Sequence, residues 1–143
     1  MGFYVAILFL TRIPFPQIEL DEGKIGSYLP FFPCAGAVIG GILSLMYILG
    51  QKVLPHEVVA GLIVVISIII TGGMHLDGFA DTMDALFCYG DREKKLAVMK
   101  DSRIGAYGVI GIVSVILLKY VFVASLPQAY LMQSLIGFPV LSR

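Results

Sequence analysis

Charged residues are scarce in this sequence. Only 14% of the 143 residues are Asp, Glu, Lys or Arg, whereas 58% are hydrophobic. Soluble domains usually contain about 25% charged and about 45–50% apolar residues. The shortage of charge excludes an ordinary soluble domain and indicates an integral membrane protein.

The sequence also has no net charge and few cysteines. Ten basic residues balance ten acidic ones, so the net charge is zero and gives no electrostatic reason to expect a nucleic-acid partner. The two cysteines, Cys34 and Cys88, stand in dissimilar settings without metal-ligand spacing. We therefore expect free thiols rather than a disulfide framework or a zinc site.

Long apolar stretches are what the sequence has instead. A helix that spans a bilayer needs about 20 mostly apolar residues, and the stretches 29–50, 58–76 and 104–126 are long enough. Helices are expected over strands because an unclosed strand leaves its backbone unpaired in lipid. The shorter stretch 3–10 indicates an interfacial or re-entrant helix, and 129–141 indicates the start of a fourth span.

The predicted fold is an all-α, polytopic membrane helix bundle that forms one domain over residues 1–143. Five of the ten basic residues lie in the segment 77–103, whereas the loop 51–57 contains only Lys52. The positive-inside rule therefore places the N-terminus and the segment 77–103 in the cytoplasm. Because the chain stops within an apolar stretch, we expect it to be the N-terminal part of a longer protein.

Small residues recur at spacings that allow membrane helices to approach closely. Gly36 and Gly40 are four residues apart, and Gly105, Gly108 and Gly111 follow one another at every third position. Such spacing predicts helix–helix contacts at these glycines. Glycine is also common in membrane helices generally, so each glycine taken singly is open to either interpretation.

Three aspartates follow the second apolar stretch. Asp77, Asp81 and Asp84 are spaced i, i+4 and i+7, and no Lys or Arg lies between residues 57 and 92. On a helix they share a stripe of roughly 60°, where like charges repel unless a cation compensates. Oxygen ligands favour Mg²⁺, Mn²⁺ or Ca²⁺. The sequence predicts a metal site, with a solvated helix end as the alternative.

A second polar group surrounds Asp101. This residue is a candidate fourth carboxylate, and Lys100 and Arg103 beside it are suited to phosphate oxygens, although either cation alone is also a normal membrane anchor. Metal-binding carboxylates beside Lys and Arg indicate phosphoryl or phosphodiester transfer. His75 can orient a ligand or accept a proton, or it is a hydrogen-bonded interfacial histidine. Arg12 is a further candidate for the site, or an interfacial anchor.

Three motifs stand in order along the chain: Phe9–Pro14 (FLTRIP), Gly73–Asp84 (GMHLDGFADTMD) and Met99–Gly108 (MKDSRIGAYG). Together they resemble the cobalamin synthase family, the adenosylcobinamide-GDP ribazoletransferases. The resemblance covers nearly the whole chain. It implies a transferase of cobalamin biosynthesis in a prokaryotic inner membrane, which joins adenosylcobinamide-GDP to α-ribazole or its 5′-phosphate and releases GMP.

The resemblance also implies roles for the polar residues. The metal would be Mg²⁺, held by Asp77, Asp81 and Asp84. The remaining candidates are Asp101 as a further ligand or base, His75 as a catalytic residue, and Lys100, Arg103 and Arg12 as phosphate contacts. Expected partners are the small-molecule substrates and the lipid bilayer, with homo-oligomers allowed and no nucleic acid.

Two other functions compete with this interpretation. CDP-alcohol phosphotransferases, which make phospholipids, have a similar Asp-Gly opening, but Asp81-Thr82 stands here where their pattern has Ala-Arg. A cation transporter would use the same carboxylates as an ion pathway. A transporter of this kind would have acidic residues near mid-membrane on several helices, whereas the acidic residues of this sequence lie at one end of the predicted spans.

Overall fold

The computed structural model describes residues 2–14, 16 and 25–143, and these ranges contain helices and no strand. The all-α prediction is therefore confirmed. The helices are α1 (Gly2–Leu10), α2 (Ile25–Tyr28), α3 (Phe32–Gly50), α4 (His56–Thr71), α5 (Met74–Phe87), α6 (Arg92–Met99), α7 (Ala106–Ser125) and α8 (Gln128–Leu141). A 3₁₀ turn, Leu29–Phe31, joins α2 to α3.

Two helical segments of the described chain are long and apolar enough to cross a membrane. They are Gly26–Gly50 and Ala106–Ser125, close to the first and third predicted spans. A third span exists if α4 and α5 are counted together as one interrupted span. Helix α8 has 14 residues, which at 1.5 Å each extend about 21 Å and fall short of the ~30 Å hydrocarbon core.

The second predicted span is interrupted before its expected end. Helix α4 ends at Thr71, and Gly72 and Gly73 follow with φ of 65° and 69°. Residues other than glycine rarely adopt this left-handed conformation, and two in succession end an α-helix. The aspartates therefore lie on a separate helix, α5, and not on a direct continuation of the apolar helix α4.

The described residues form two compact units. One contains the chain up to Gly72 together with Phe122–Arg143, and the other contains Gly73–Val121. The first unit has its core where α3 packs against α4 and α8. The buried side chains of this core are Ile39, Leu43, Tyr47, Val59, Ile63, Leu131 and Leu135.

The close approach of α3 and α8 depends on two glycines. A Cβ atom added to Gly40 would lie 2.7 Å from Cα of Ile136, and one added to Gly36 would collide with the carbonyl of Pro139. Both obstructions are backbone atoms, which cannot move without displacing the helix. The contact that the Gly36–Gly40 spacing predicts is thus confirmed, with α8 as the partner.

Helix α1 packs on the N-terminal half of α3. Ala6, Ile7 and Leu10 form a buried cluster with Ala35. After α1 ends, the backbone N–H of Arg12 donates to the carbonyl of Ile70 at 2.7 Å. This hydrogen bond fixes the chain beside the C-terminus of α4.

A polar network joins the helices of the first unit at the α3–α4 loop. His56 Nε2 lies 3.1 Å from the carbonyl of Ala124, and its Nδ1 lies 3.4 Å from the Tyr47 hydroxyl. Gln51 donates to that hydroxyl and accepts from Gln128 Nε2 at 2.6 Å. A carbonyl can only accept, so His56 carries its proton on Nε2. His56 thus links these helices, a role that no sequence pattern indicates.

The second unit consists of α5, α6 and the first part of α7. Asp91 caps α6, because its Oδ1 accepts the backbone N–H of Lys94 at 2.9 Å. The rings of Phe87 and Tyr107 stack with centroids 4.9 Å apart. The ring stack joins the end of α5 to the start of α7.

Candidate active site

Two of the three clustered aspartates have carboxylates without a bonding partner among the described residues. Asp77 is exposed and Asp81 is partly buried, one turn apart on α5. Neither side chain forms a hydrogen bond or ion pair with any residue in the described ranges. Two unengaged carboxylates with this spacing can approach one cation from the same face of the helix.

The third aspartate is engaged with the protein backbone. Asp84 Oδ2 accepts the N–H of Gly105 at 2.7 Å, and Oδ1 accepts the N–H of Gly108 at 2.8 Å. Both amides belong to the start of α7, where the first N–H groups of a helix lack intrahelical acceptors. Asp84 therefore caps a helix that begins more than 20 residues further along the chain.

The glycine repeat of α7 makes room for α5. A Cβ at Gly105 would lie 2.8 Å from Cγ of Asp84, and one at Gly111 would lie 2.8 Å from Cγ of Met83. Gly108 is buried and would collide with the Asp84 carboxylate in the same way. The contact predicted from this spacing is confirmed, and at Gly105 and Gly108 its partner is a charged side chain.

Asp101 is held by its neighbour Arg103 in the connection between α6 and α7. Its Oδ1 accepts the backbone N–H of Arg103 at 3.1 Å and Nε at 3.0 Å, and its Oδ2 accepts Nη2 at 2.7 Å. These hydrogen bonds lower the pKa of the Asp101 carboxyl to about 2, and those from the Arg103 side chain contribute most. Asp101 is consequently ionised at neutral pH and poorly suited to accept a proton.

We predict that Asp101 titrates near pH 2, well below the ordinary value of 3.8 for aspartate. Because the pKa is lowered in the folded chain, the pairing stabilises the fold above about pH 4 and is lost as the pH falls through about 2. Carboxyl ¹³C chemical shifts measured against pH would report this titration. Arg103→Gln should return the value towards 3.8, whereas Lys100→Gln should leave it low. A normal titration in the unsubstituted chain would contradict the observed pairing.

The other predicted site residues are exposed. His75 is the second residue of α5, two residues before Asp77, and Lys100 follows the end of α6. Arg103 remains 87% exposed although it is paired with Asp101. Arg12 lies against Gly72, where an added Cβ would be 2.6 Å from its Nε. This contact places Arg12 beside the end of α4.

Magnesium fits the two free carboxylates. Across the described ranges, no three His, Cys, Asp or Glu side chains are grouped so as to hold an ion. Mg²⁺ is usually bound by one or two carboxylates together with substrate phosphates and water, and does not need an all-protein cage. The metal assignment stays a prediction, and the observed contacts favour Asp77 and Asp81 over Asp84 as ligands.

The backbone amides of Gly105 and Gly108 are the site feature that sequence reasoning missed. The glycine spacing was visible and indicated close helix contact. The sequence does not indicate that a carboxylate would fill the space, because the bonded residues are 21 and 24 positions apart.

Comparisons with known proteins agree with the three motifs. The family model described as cobalamin-5-phosphate synthase matches residues 2–143. The adenosylcobinamide-GDP ribazoletransferase of Caldanaerobacter subterraneus subsp. tengcongensis is 42% identical over 97% of this chain and 56% of its own length. The protein of that name from Acetivibrio thermocellus is 41% identical over 94% of this chain and 55% of its own length.

A third relative gives the same result. The adenosylcobinamide-GDP ribazoletransferase of Geotalea daltonii is 40% identical over 99% of this chain and 57% of its own length. The chain thus spans about half the length of the curated relatives that it matches. No solved structure matches it at a significant level. With the family model matched from residue 2 to residue 143, this membrane protein belongs to the cobalamin-5-phosphate synthase family.

Proposed function

We propose that this chain carries the phosphate-transfer site of an adenosylcobinamide-GDP ribazoletransferase. The observation that supports the proposal is the family match over residues 2–143, which includes all three polar motifs. In the proposed reaction a ribose hydroxyl of α-ribazole, or of its 5′-phosphate, attacks the phosphorus attached to cobinamide. The pyrophosphate bond breaks, GMP leaves, and the corrinoid is joined to the ribazole.

Asp77 and Asp81 are the proposed ligands of Mg²⁺. They are the carboxylates of α5 that have no partner among the described residues, and their oxygen atoms match the preference of this cation. When bound, Mg²⁺ supplies charge neutralisation at the phosphate oxygens. The two carboxylates fix where the pyrophosphate of the substrate is placed relative to α5.

The cationic side chains are proposed to bind the substrate phosphates. Lys100 is exposed and Arg103 keeps donors free beyond those used by Asp101. Asp101 orients the guanidinium group, which can then meet phosphate oxygens with its remaining N–H groups. Arg12 is a further candidate for a phosphate contact, which the sequence motif alone supports.

His75 is the proposed acceptor of the proton from the ribose hydroxyl. Asp101 is the alternative, but its lowered pKa of about 2 makes it a weak base. An imidazole is the side-chain type suited to proton transfer near neutral pH. His75 precedes Asp77 by two positions on α5, where side chains do not share a helix face, so its proposed role rests on its side-chain type.

The site is proposed to face the cytoplasm from a multi-pass protein of a prokaryotic inner membrane. The basic residues of α6 and of its connection to α7 support this orientation through the positive-inside rule. Nucleotide-activated substrates are also made in the cytoplasm.

Membranes containing this chain should form GMP and the joined corrinoid from adenosylcobinamide-GDP and α-ribazole. Excess EDTA should abolish both products, and added Mg²⁺ should restore them, because the phosphate charge would otherwise be uncompensated. The longer relative from Caldanaerobacter is the positive control. Release of CMP from a CDP-alcohol, without GMP from the corrinoid, would contradict the proposal and support the phospholipid alternative.

A further inference from the structure

The beginning of α7 has no capping side chain of its own. The N–H of Val109 donates to the carbonyl of Gly105 at 3.1 Å, so Gly105 occupies the N-cap position. Most N-caps use a Ser, Thr, Asp or Asn side chain to bind the N–H three residues on, and glycine has none. Asp84 of α5 takes over this role by binding the amides of Gly105 and Gly108. One carboxylate thereby satisfies both donors of a capping box.

The two glycines are fitted to this carboxylate. Their φ angles are not positive, so backbone conformation does not require glycine at either position. Space does require it, because a Cβ would lie 2.8 Å from Cγ of Asp84 at Gly105 and 3.1 Å from it at Gly108. The sequence of α7 is therefore built to receive the Asp84 side chain.

A metal ion at Asp84 would meet an unfavourable environment. The N-terminus of a helix carries about half a positive charge, and the two bound amides direct their hydrogens at the carboxylate. Anions are stabilised at such a place and cations are not. Among the residues that the structure describes, no comparable positive group is bonded to Asp77 or Asp81.

We propose that Asp84 is a positioning residue and not a metal ligand. Its carboxylate fixes the start of α7 on α5 and so holds the segment Lys100–Arg103, which ends two residues before Gly105. The part of this inference that concerns substrate rests on the proposed function, since Lys100 and Arg103 are the proposed phosphate contacts. The part that concerns the helix cap does not.

The test measures metal affinity and amide exchange separately in the 143-residue chain in lipid nanodiscs. Asp84→Asn should speed hydrogen exchange at the amides of Gly105 and Gly108 by at least ~tenfold, because a charge-assisted hydrogen bond is lost. Its affinity for Mn²⁺, measured by electron paramagnetic resonance, should stay close to that of the original, because the amide-bound carboxylate does not bind the ion. Asp81→Asn should weaken Mn²⁺ binding and leave the exchange of both amides unchanged.

Two glycine variants keep the test informative if Asp84→Asn folds poorly. Gly108→Ala retains every carboxylate but fills the space of Asp84, so it should speed the same amide exchange without weakening Mn²⁺ binding. Gly78→Ala is the matched control on α5, where an added Cβ meets nothing within 4 Å, and its exchange should be unchanged. Loss of Mn²⁺ affinity in Asp84→Asn equal to that in Asp81→Asn, or unchanged exchange at Gly105 and Gly108, would overturn the inference.

Turnover separates positioning from a general loss of folded protein. In Asp84→Asn the KM for adenosylcobinamide-GDP should rise while the Mg²⁺ concentration for half-maximal rate stays the same. Partial unfolding would lower kcat and leave KM unchanged. If no form of the chain binds Mn²⁺, the proposed metal site fails, and the amide exchange alone decides whether Asp84 holds α7.

Discussion

Replacing Asp77 or Asp81 by asparagine is expected to lower Mg²⁺-dependent GMP release by at least ~100-fold, the upper end of what losing even an outer-shell partner costs. Asparagine keeps the size and one oxygen of aspartate but removes the negative charge that attracts the cation. No other carboxylate of α5 is available as a substitute, because Asp84 is engaged by the amides of α7.

The measurement is the initial rate of GMP release from membranes across a range of Mg²⁺ concentrations. If binding is weakened rather than abolished, high Mg²⁺ should recover part of the rate. Glu93→Gln is the matched control, since it removes an exposed carboxylate from α6 in the same compact unit. Near-normal rates in both aspartate variants would contradict the metal assignment. An equal loss in Glu93→Gln would show that the effect is not specific to Asp77 and Asp81.

The fold could be predicted from the sequence where composition and local spacing decide it. Apolar length placed α3 and α7 close to their observed bounds. The interruption after Thr71 was less predictable. Single glycines are common in membrane helices, so Gly72 and Gly73 did not by themselves indicate that both take left-handed conformations.

The site could be predicted only as a set of residue types. Helical spacing groups Asp77, Asp81 and Asp84 on one face, but spacing does not distinguish a free carboxylate from one that caps another helix. That distinction depends on which helix packs beside α5, and this is a tertiary contact. The Asp101–Arg103 pair, in contrast, depends only on local structure, because residues two positions apart in a turn can form a hydrogen bond without a tertiary contact.

The contacts also bear on the rival functions. An ion pathway requires carboxylates that stay free to exchange cations along the membrane. Within the described part of the chain, Asp84 and Asp101 are instead engaged by backbone amides and by a guanidinium group. Asp84 fixes the start of α7, and the Asp101–Arg103 pair orders the connection that precedes it.

Gly40→Ala is expected to destabilise the first compact unit by about 1–3 kcal/mol, the usual cost of overpacking. The added Cβ would lie 2.7 Å from the backbone of α8 at both Leu135 and Ile136. Because helix backbone cannot turn aside as a side chain can, α8 must shift away from α3. Leu131 and Leu135 would then leave the core that they share with Ile39 and Leu43.

Gly41→Ala separates this clash from the change in helix propensity. Both substitutions replace a glycine of α3 by alanine, which favours the helix by up to about 1 kcal/mol in water, but a Cβ at Gly41 meets nothing within 4 Å. The free energy of unfolding, measured by SDS titration in mixed micelles, should therefore fall for Gly40→Ala and stay constant or rise for Gly41→Ala. Since propensity changes equally in both, the difference measures the contact itself. Equal stabilities for the two variants would mean that α3 and α8 do not touch at Gly40, and the core built on that contact would have to be abandoned.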